Sequence, residues 1–249
     1  MRHTNLFLAA ALAAIGGAAP STAQDLQTDR PDVTEGATTM PAGRLQLETG
    51  LARETDDGDA DQTFGQALVR YGLLDGVELR VELGSWQRLA GGADGWDGGS
   101  LGLKARLFDG GEGMPQTSVV LTAGTPFGND EVAADAWQPD VKLAADWALP
   151  GGFGLGANVG WGRPVEDGRR FDQATWSVAV GPPGGERLGT FVEYFGTSRE
   201  GAGGDATHYL DAGVTWAVGP DLQLDVYGGA GLVSAATDWF VGAGAAVRF

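Results

Sequence analysis

The stretch Val77-Glu78-Leu79-Arg80-Val81-Glu82-Leu83 carries an apolar side chain at every second position and a charged one between. Successive side chains of an extended strand point to opposite faces, so this stretch has one apolar and one charged face. A helix would scatter both sets around its surface. The same alternation recurs through 100–108, 138–149, 153–161, 222–232 and 239–249. Twelve strands are predicted in all, at about 44–52, 62–72, 77–84, 100–108, 115–125, 138–149, 153–161, 173–181, 187–196, 207–217, 222–232 and 239–249. The links between them alternate in length. Short ones fall at 73–76, 109–114, 150–152, 182–186 and 218–221, and longer ones at 53–61, 85–99, 126–137, 162–172, 197–206 and 233–238. Short turns on one side and long loops on the other mark an up-and-down antiparallel transmembrane β-barrel. An even strand number puts both of its termini on the periplasmic side.

A soluble sandwich or a lipocalin-like barrel also alternates, but both turn their apolar face inward. Here the aromatic residues decide. On the apolar parity, Tyr71, Trp147, Phe153, Trp216 and Phe249 fall at the short-turn end, and Trp137, Trp161, Trp176, Tyr194 and Trp239 at the long-loop end. Two such girdles are expected where amphipathic rings meet the lipid–water interfaces.

Composition narrows the picture. The chain has 249 residues, 43 of them Gly, no Cys and a formal net charge of −17. Without Cys there is no disulfide framework, thiolate site or Cys nucleophile. So acidic a chain has no basic face for nucleic acid. With His3 and His208 as its histidines, no metal or other cofactor is expected. Arg2 and His3, the apolar run Leu6–Ala14 and the small residues Ser21-Thr22-Ala23 predict a secretory signal over 1–23. Residues 24–43 then form a periplasmic N-terminal segment and 44–249 the barrel. Many positions on the polar parity are Gly, which leaves space for an open lumen or for something inside it, or relieves strand curvature.

The polar parity sends charges of both signs into the lumen. Glu78, Arg80, Glu82, Lys104, Arg106, Lys142, Glu193, Asp211 and Asp225 are the constriction candidates, with Arg80, Lys104 and Asp225 near mid-height. Glu78, Arg80 and Glu82 lie beside Lys104 and Arg106 on the next strand, so cross-strand ion pairing is expected. Asp29, Arg30 and Glu35 precede the first strand and are candidates for a short plug paired with these charges. His208 stands at the outer end of a strand with no matching Ser, an ordinary position rather than a catalytic one. Asp56-Asp57-Gly58-Asp59-Ala60-Asp61 reads as a solvated acidic loop lacking the spacing of a calcium loop.

Two stretches carry a family resemblance. Gln27-Thr28-Asp29-Arg30-Pro31-Asp32-Val33-Thr34-Glu35-Gly36 with Pro41–Gly50 opens the chain past the signal. Leu222-Gln223-Leu224-Asp225, Gly229-Ala230-Gly231-Leu232 and Asp238–Gly244 lead to the close at Val247-Arg248-Phe249. They resemble the outer-membrane transporter family described as "putative MetA-pathway of phenol degradation". Val33 and Gly36 depart from its pattern, and the middle of the chain matches only as a barrel. The resemblance implies an outer-membrane channel for small solutes, including aromatic compounds that feed a phenol meta-cleavage pathway. Its partners would be outer-membrane lipid and lipopolysaccharide, the solute, and the barrel assembly machinery reading Phe249. The competing readings are an outer-membrane lipid hydrolase and a closed structural or surface-interaction barrel.

Overall fold

The computed structural model describes residues 26–185 and 187–249; the expected signal at 1–23 lies outside them. Twelve antiparallel strands form a closed barrel. They are β1 (Leu45–Asp56), β2 (Asp59–Phe64 and Leu68–Leu74), β3 (Val77–Glu82 and Trp86–Arg88) and β4 (Asp94–Trp96 and Ser100–Gly111). There follow β5 (Met114–Gly124), β6 (Gln138–Ala148), β7 (Gly154–Gly162) and β8 (Gln173–Gly181). The circuit ends with β9 (Leu188–Thr197), β10 (Thr207–Gly219), β11 (Leu222–Gly231) and β12 (Trp239–Arg248). Each strand pairs with its neighbours in sequence, and β12 closes on β1 from Gln46↔Arg248 to Thr55↔Trp239. Closure leaves no sheet edge, the condition for a sheet to cross hydrocarbon.

Two of the expected long links are shorter than their span. Residues 53–61 continue the β1–β2 pairing out to Asp56↔Asp59. Asp57 and Gly58, with φ of 48° and 88°, make the two-residue turn that an Asp-Gly pair favours. The acidic run is therefore a hairpin tip. Within 85–99, Trp86–Arg88 and Asp94–Trp96 pair with each other and extend the wall. That extension is separated from the barrel below by breaks at 65–67, 83–85 and 97–99. All three lie between the pairs Phe64↔Trp86↔Trp96 above and Leu68↔Glu82↔Ser100 below. Gly84, Gly98 and Gly99 take φ of 77°, 102° and 101° there. The Asp97 carboxylate ties the turn together, accepting from Ser85 N (2.7 Å), Ser85 Oγ (2.5 Å) and Gln87 Nε2 (2.9 Å).

The inside–outside assignment follows the parity of the strands. Outward Leu103, Val159, Val192 and Val226 are exposed, while inward Lys104, Asn158, Glu193 and Asp225 are buried. Trp137, Trp161, Tyr194, Trp216, Trp239 and Phe249 lie exposed on the outer surface. His208 belongs to this surface, its Nδ1 2.6 Å from the Tyr194 hydroxyl and its ring stacked on that of Tyr194. The buried interior is polar rather than apolar. Its most enclosed side chains include Arg70, Lys104, Gln46, Glu48, Glu78 and Glu193.

Val192 stands mid-way along β9 with 52% of its surface exposed. Val192→Arg puts a charge against the middle of the hydrocarbon and should destabilise the barrel by about 2–4 kcal/mol. Denaturant titration of the variant in phospholipid vesicles reads that loss, and an unchanged midpoint would contradict the assignment of this face to lipid.

Candidate functional site: the lumen and the segment within it

Residues 26–44 have no strand of their own, so their backbone groups need partners elsewhere. They find them on inward side chains of the barrel wall, taken in almost reverse strand order. Thr28 accepts from Gln223 of β11 (3.0 Å). The amides of Val33 and Thr34 donate to Glu193 of β9, both at 2.7 Å, and the Thr34 hydroxyl reaches Glu193 and Ser177 of β8. Glu35 exchanges two hydrogen bonds with the Asn158 amide of β7, at 2.8 and 2.9 Å. Ala37 N donates to Asp146 of β6 (2.6 Å), and its carbonyl accepts from Ser118 of β5. Met40 N donates to Glu78 of β3 (2.8 Å), and Gly43 N to the Gly72 carbonyl of β2 (2.8 Å). The segment thus makes a circuit of the inner wall before β1 begins.

Several glycines make that circuit sterically feasible. A Cβ on Gly72 would lie 2.0 Å from the Pro41 carbonyl oxygen, and one on Gly156 would lie 2.9 Å from Thr34. At the β1–β12 seam, Cβ atoms on Gly50 and Gly244 would fall 2.5 and 2.3 Å from the Arg30 guanidinium.

Asp29 is the electrostatic centre. Its carboxylate lies 2.5 Å from Arg80, 3.1 Å from Lys104 and 3.4 Å from Arg70, all buried. Burial alone would raise this carboxyl, but Arg70, Lys104 and Arg80 outweigh it and hold the group well below the usual carboxylate range. Asp29 is therefore ionised at neutral pH. Glu35 bridges Arg80 (3.0 Å) and Lys142 (2.6 Å). Burial opposes its ionisation too, yet Arg80 and Lys142 lower its pKa to about 2. Arg70 also holds Glu48 (2.9 Å) and Glu78 (2.8 Å), and Arg80 holds Glu78 (3.0 Å). Four cations of the wall thus meet four carboxylates, two from the wall and two from the segment.

Across the lumen the signs reverse. Glu193, Asp211 and Asp225 face inward on β9, β10 and β11, with Glu193 and Asp211 opposite each other in register. The segment answers with the amides at Glu193 and with Arg30, whose guanidinium meets Asp225 at 3.1 and 3.4 Å. Arg30 also donates to Gln66 (3.4 Å) and lies 5.8 Å from the centre of the Tyr227 ring. Above this level Phe195, Tyr209, Tyr227 and Phe240 line one inner wall. Phe195 stacks on Tyr209 at 4.8 Å, and Phe240 lies about 6 Å from each of its ring neighbours. A cavity of about 660 Å3 opens over the segment toward the long loops.

Of the residues singled out in the sequence, Arg80, Lys104, Glu78, Lys142, Glu193 and Asp225 all touch the N-terminal segment. Glu82 lines the cavity above and accepts from Ser100 (2.7 Å), and Asp211 sits beside Glu193 without an ion pair. Arg106 is different. A register shift follows it in β4, and it pairs at the short-turn rim with Asp75 (2.7 Å) and Asp109 (2.8 Å), so it takes no part in a mid-height constriction. The expected Glu78–Lys104 ion pair is also replaced. The two residues are register partners, but Lys104 turns to Asp29 and the Gly36 carbonyl instead. Arg70, Glu48, Asn158 and Asp146 were not among the candidates, although their inward parity was legible and marks them as lumen groups.

The fold is that of outer-membrane channels. The COG4313 outer membrane channel from Pseudomonas putida F1 superposes with a TM-score of 0.66 at 12% identity, over 85% of this chain and 97% of that one. The NanC porin superposes with a TM-score of 0.56 at 7% identity, over 82% of this chain and all of the other. No curated protein matches the sequence. The family described as "Putative MetA-pathway of phenol degradation" matches residues 28–249, from the lumen segment to the last strand, and the chain belongs to it.

Proposed function

We propose that the protein is an outer-membrane channel for passive uptake of small solutes, and that residues 24–43 act as a plug held in the lumen by charge. The observation that carries this reading is the circuit of the segment, which occupies the lumen space a solute would use and bonds to charged groups on both sides of the wall. Selectivity in such a channel follows from lumen width and the charges that line it. Aromatic compounds are the solute class in this proposal. The family description names a phenol pathway, and the inner wall of Phe195, Tyr209, Tyr227 and Phe240 offers ring faces on the path above the segment. Phe249 follows β12 on the outer surface, its amide bonded to the Leu45 carbonyl at 2.8 Å, where an assembly factor could read it.

Single-channel recording of the refolded mature protein in a planar bilayer tests the plug. Deleting residues 24–40 should raise the conductance step several-fold, and an unchanged step would remove the plug from the proposal. Asp29→Asn keeps the shape of the side chain but takes the charge from between Arg70, Arg80 and Lys104. It should shift recordings toward the deletion variant, with frequent transitions between closed and open levels. Alanine at Arg80, Lys104 and Asp225 together should change both conductance and the reversal potential in a salt gradient. If neither moves, these three do not shape the permeation path.

A further inference from the structure

Arg30 occupies a place built for a cation. Asp225 accepts its Nε and Nη2, Gln66 accepts Nη1 and the Tyr227 ring lies alongside. Gly50 and Gly244, register partners across the β1–β12 seam, leave the flat surface against which the guanidinium rests. A carboxylate with an aromatic face beside it is the arrangement that recognises organic cations. The seat borders the 660 Å3 cavity, which is lined by Arg30, Gln66 and Tyr227 and opens toward the long loops.

That cavity favours cations. Its own positive groups, Arg30 and Arg80, are both committed to carboxylates. Among the described residues, Glu82 and Asp97 on its walls form no ion pair, so its uncompensated charge is negative. Such a cleft raises the local concentration of cations.

We propose that the Arg30 seat is an exchangeable binding site for a small guanidinium or ammonium group, and that a cation arriving through the cavity competes with Arg30 for Asp225 and Tyr227 and so loosens the segment. The binding site stands on the seat's geometry alone; the loosening rests on the plug reading above. Arg30 is tethered next to Asp29 and three residues before Val33, both held by other contacts, so it competes at a high effective concentration. An external cation binds weakly while Arg30 is present and tightly once it is gone.

The probe is methylguanidinium, with methylurea as its neutral counterpart of the same shape, added to the refolded mature protein in detergent micelles. Calorimetry measures binding, and heat-dependent gel mobility confirms that each variant is folded. Arg30→Ala should bind methylguanidinium at least about tenfold more tightly than the parent. Adding Asp225→Asn to Arg30→Ala should abolish that gain, and Gly244→Leu, which fills the seat without changing charge, should abolish it independently. Methylurea should give no heat with any variant. In bilayers methylguanidinium should raise the opening frequency of the parent and not of Arg30→Ala. Equal affinity of the parent and Arg30→Ala, or retention of the gain with Asp225→Asn, would overturn the site. If binding follows the expected pattern but deletion of 24–40 leaves conductance unchanged, the site stands and the loosening falls with the plug reading. If deletion opens the channel but the binding pattern is absent, the plug stands and the site falls.

Discussion

The interior of this barrel is held by ion pairs and hydrogen bonds between a wall of divided charge and the segment that runs along it. Arg70, Arg80, Lys104 and Lys142 project from one side of the wall and form ion pairs with Glu48 and Glu78 of the wall and with Asp29 and Glu35 of the segment. Asp225 faces them from the other side and meets Arg30, the residue next to Asp29 in the chain. Buried ions tolerate poor company badly. Desolvating each costs several kcal/mol, which only close and well-oriented partners offset. The segment is therefore tied to the wall by its charges as well as by its backbone. Drawing it out takes Asp29 and Glu35 from Arg70, Arg80, Lys104 and Lys142 and leaves Asp225 without Arg30 and Glu193 without the segment's amides, and water must then take its place.

The same arrangement explains the glycine content better than lumen width alone. The sequence left three uses for inward glycine open, and the contacts separate them by position. At Gly50, Gly72, Gly156 and Gly244 the missing side chain is filled by the segment itself. At Gly213, Gly229 and Gly242 it is filled by wall aromatics, Phe191, Phe240 and Tyr227. The channel is thus narrowed from within by residues that lie flat against a wall trimmed to receive them.

The strands were legible because period-two alternation is a local signal, and a strand with one face in lipid and one in a polar lumen shows it in full. The parity of each charge followed, and with it the inward position of Arg80, Lys104, Glu193 and Asp225. What local pattern could not carry was partnership. Lys104 and Glu78 are register neighbours, yet an irregular segment some seventy residues earlier in the chain takes Lys104 away. Arg106 has the right parity, but a register shift follows it in β4 and its side chain pairs with Asp75 and Asp109 at the rim. The acidic run at 56–61 reads as a loop by composition, yet its Asp57-Gly58 pair is a two-residue turn and the residues on either side of it stay paired as strands.

The seat of Arg30 straddles the line where the barrel closes. Gly50 on β1 and Gly244 on β12 meet there as register partners, and neither strand alone presents the surface. A slip of one residue between β1 and β12 would turn one strand's inward set toward lipid and oppose Gly50 to a residue bearing a side chain. Docking of Arg30 is then a property of the finished cylinder rather than of any hairpin within it. The native register of the closing seam and the seat of the N-terminal arm are thus one and the same geometric condition.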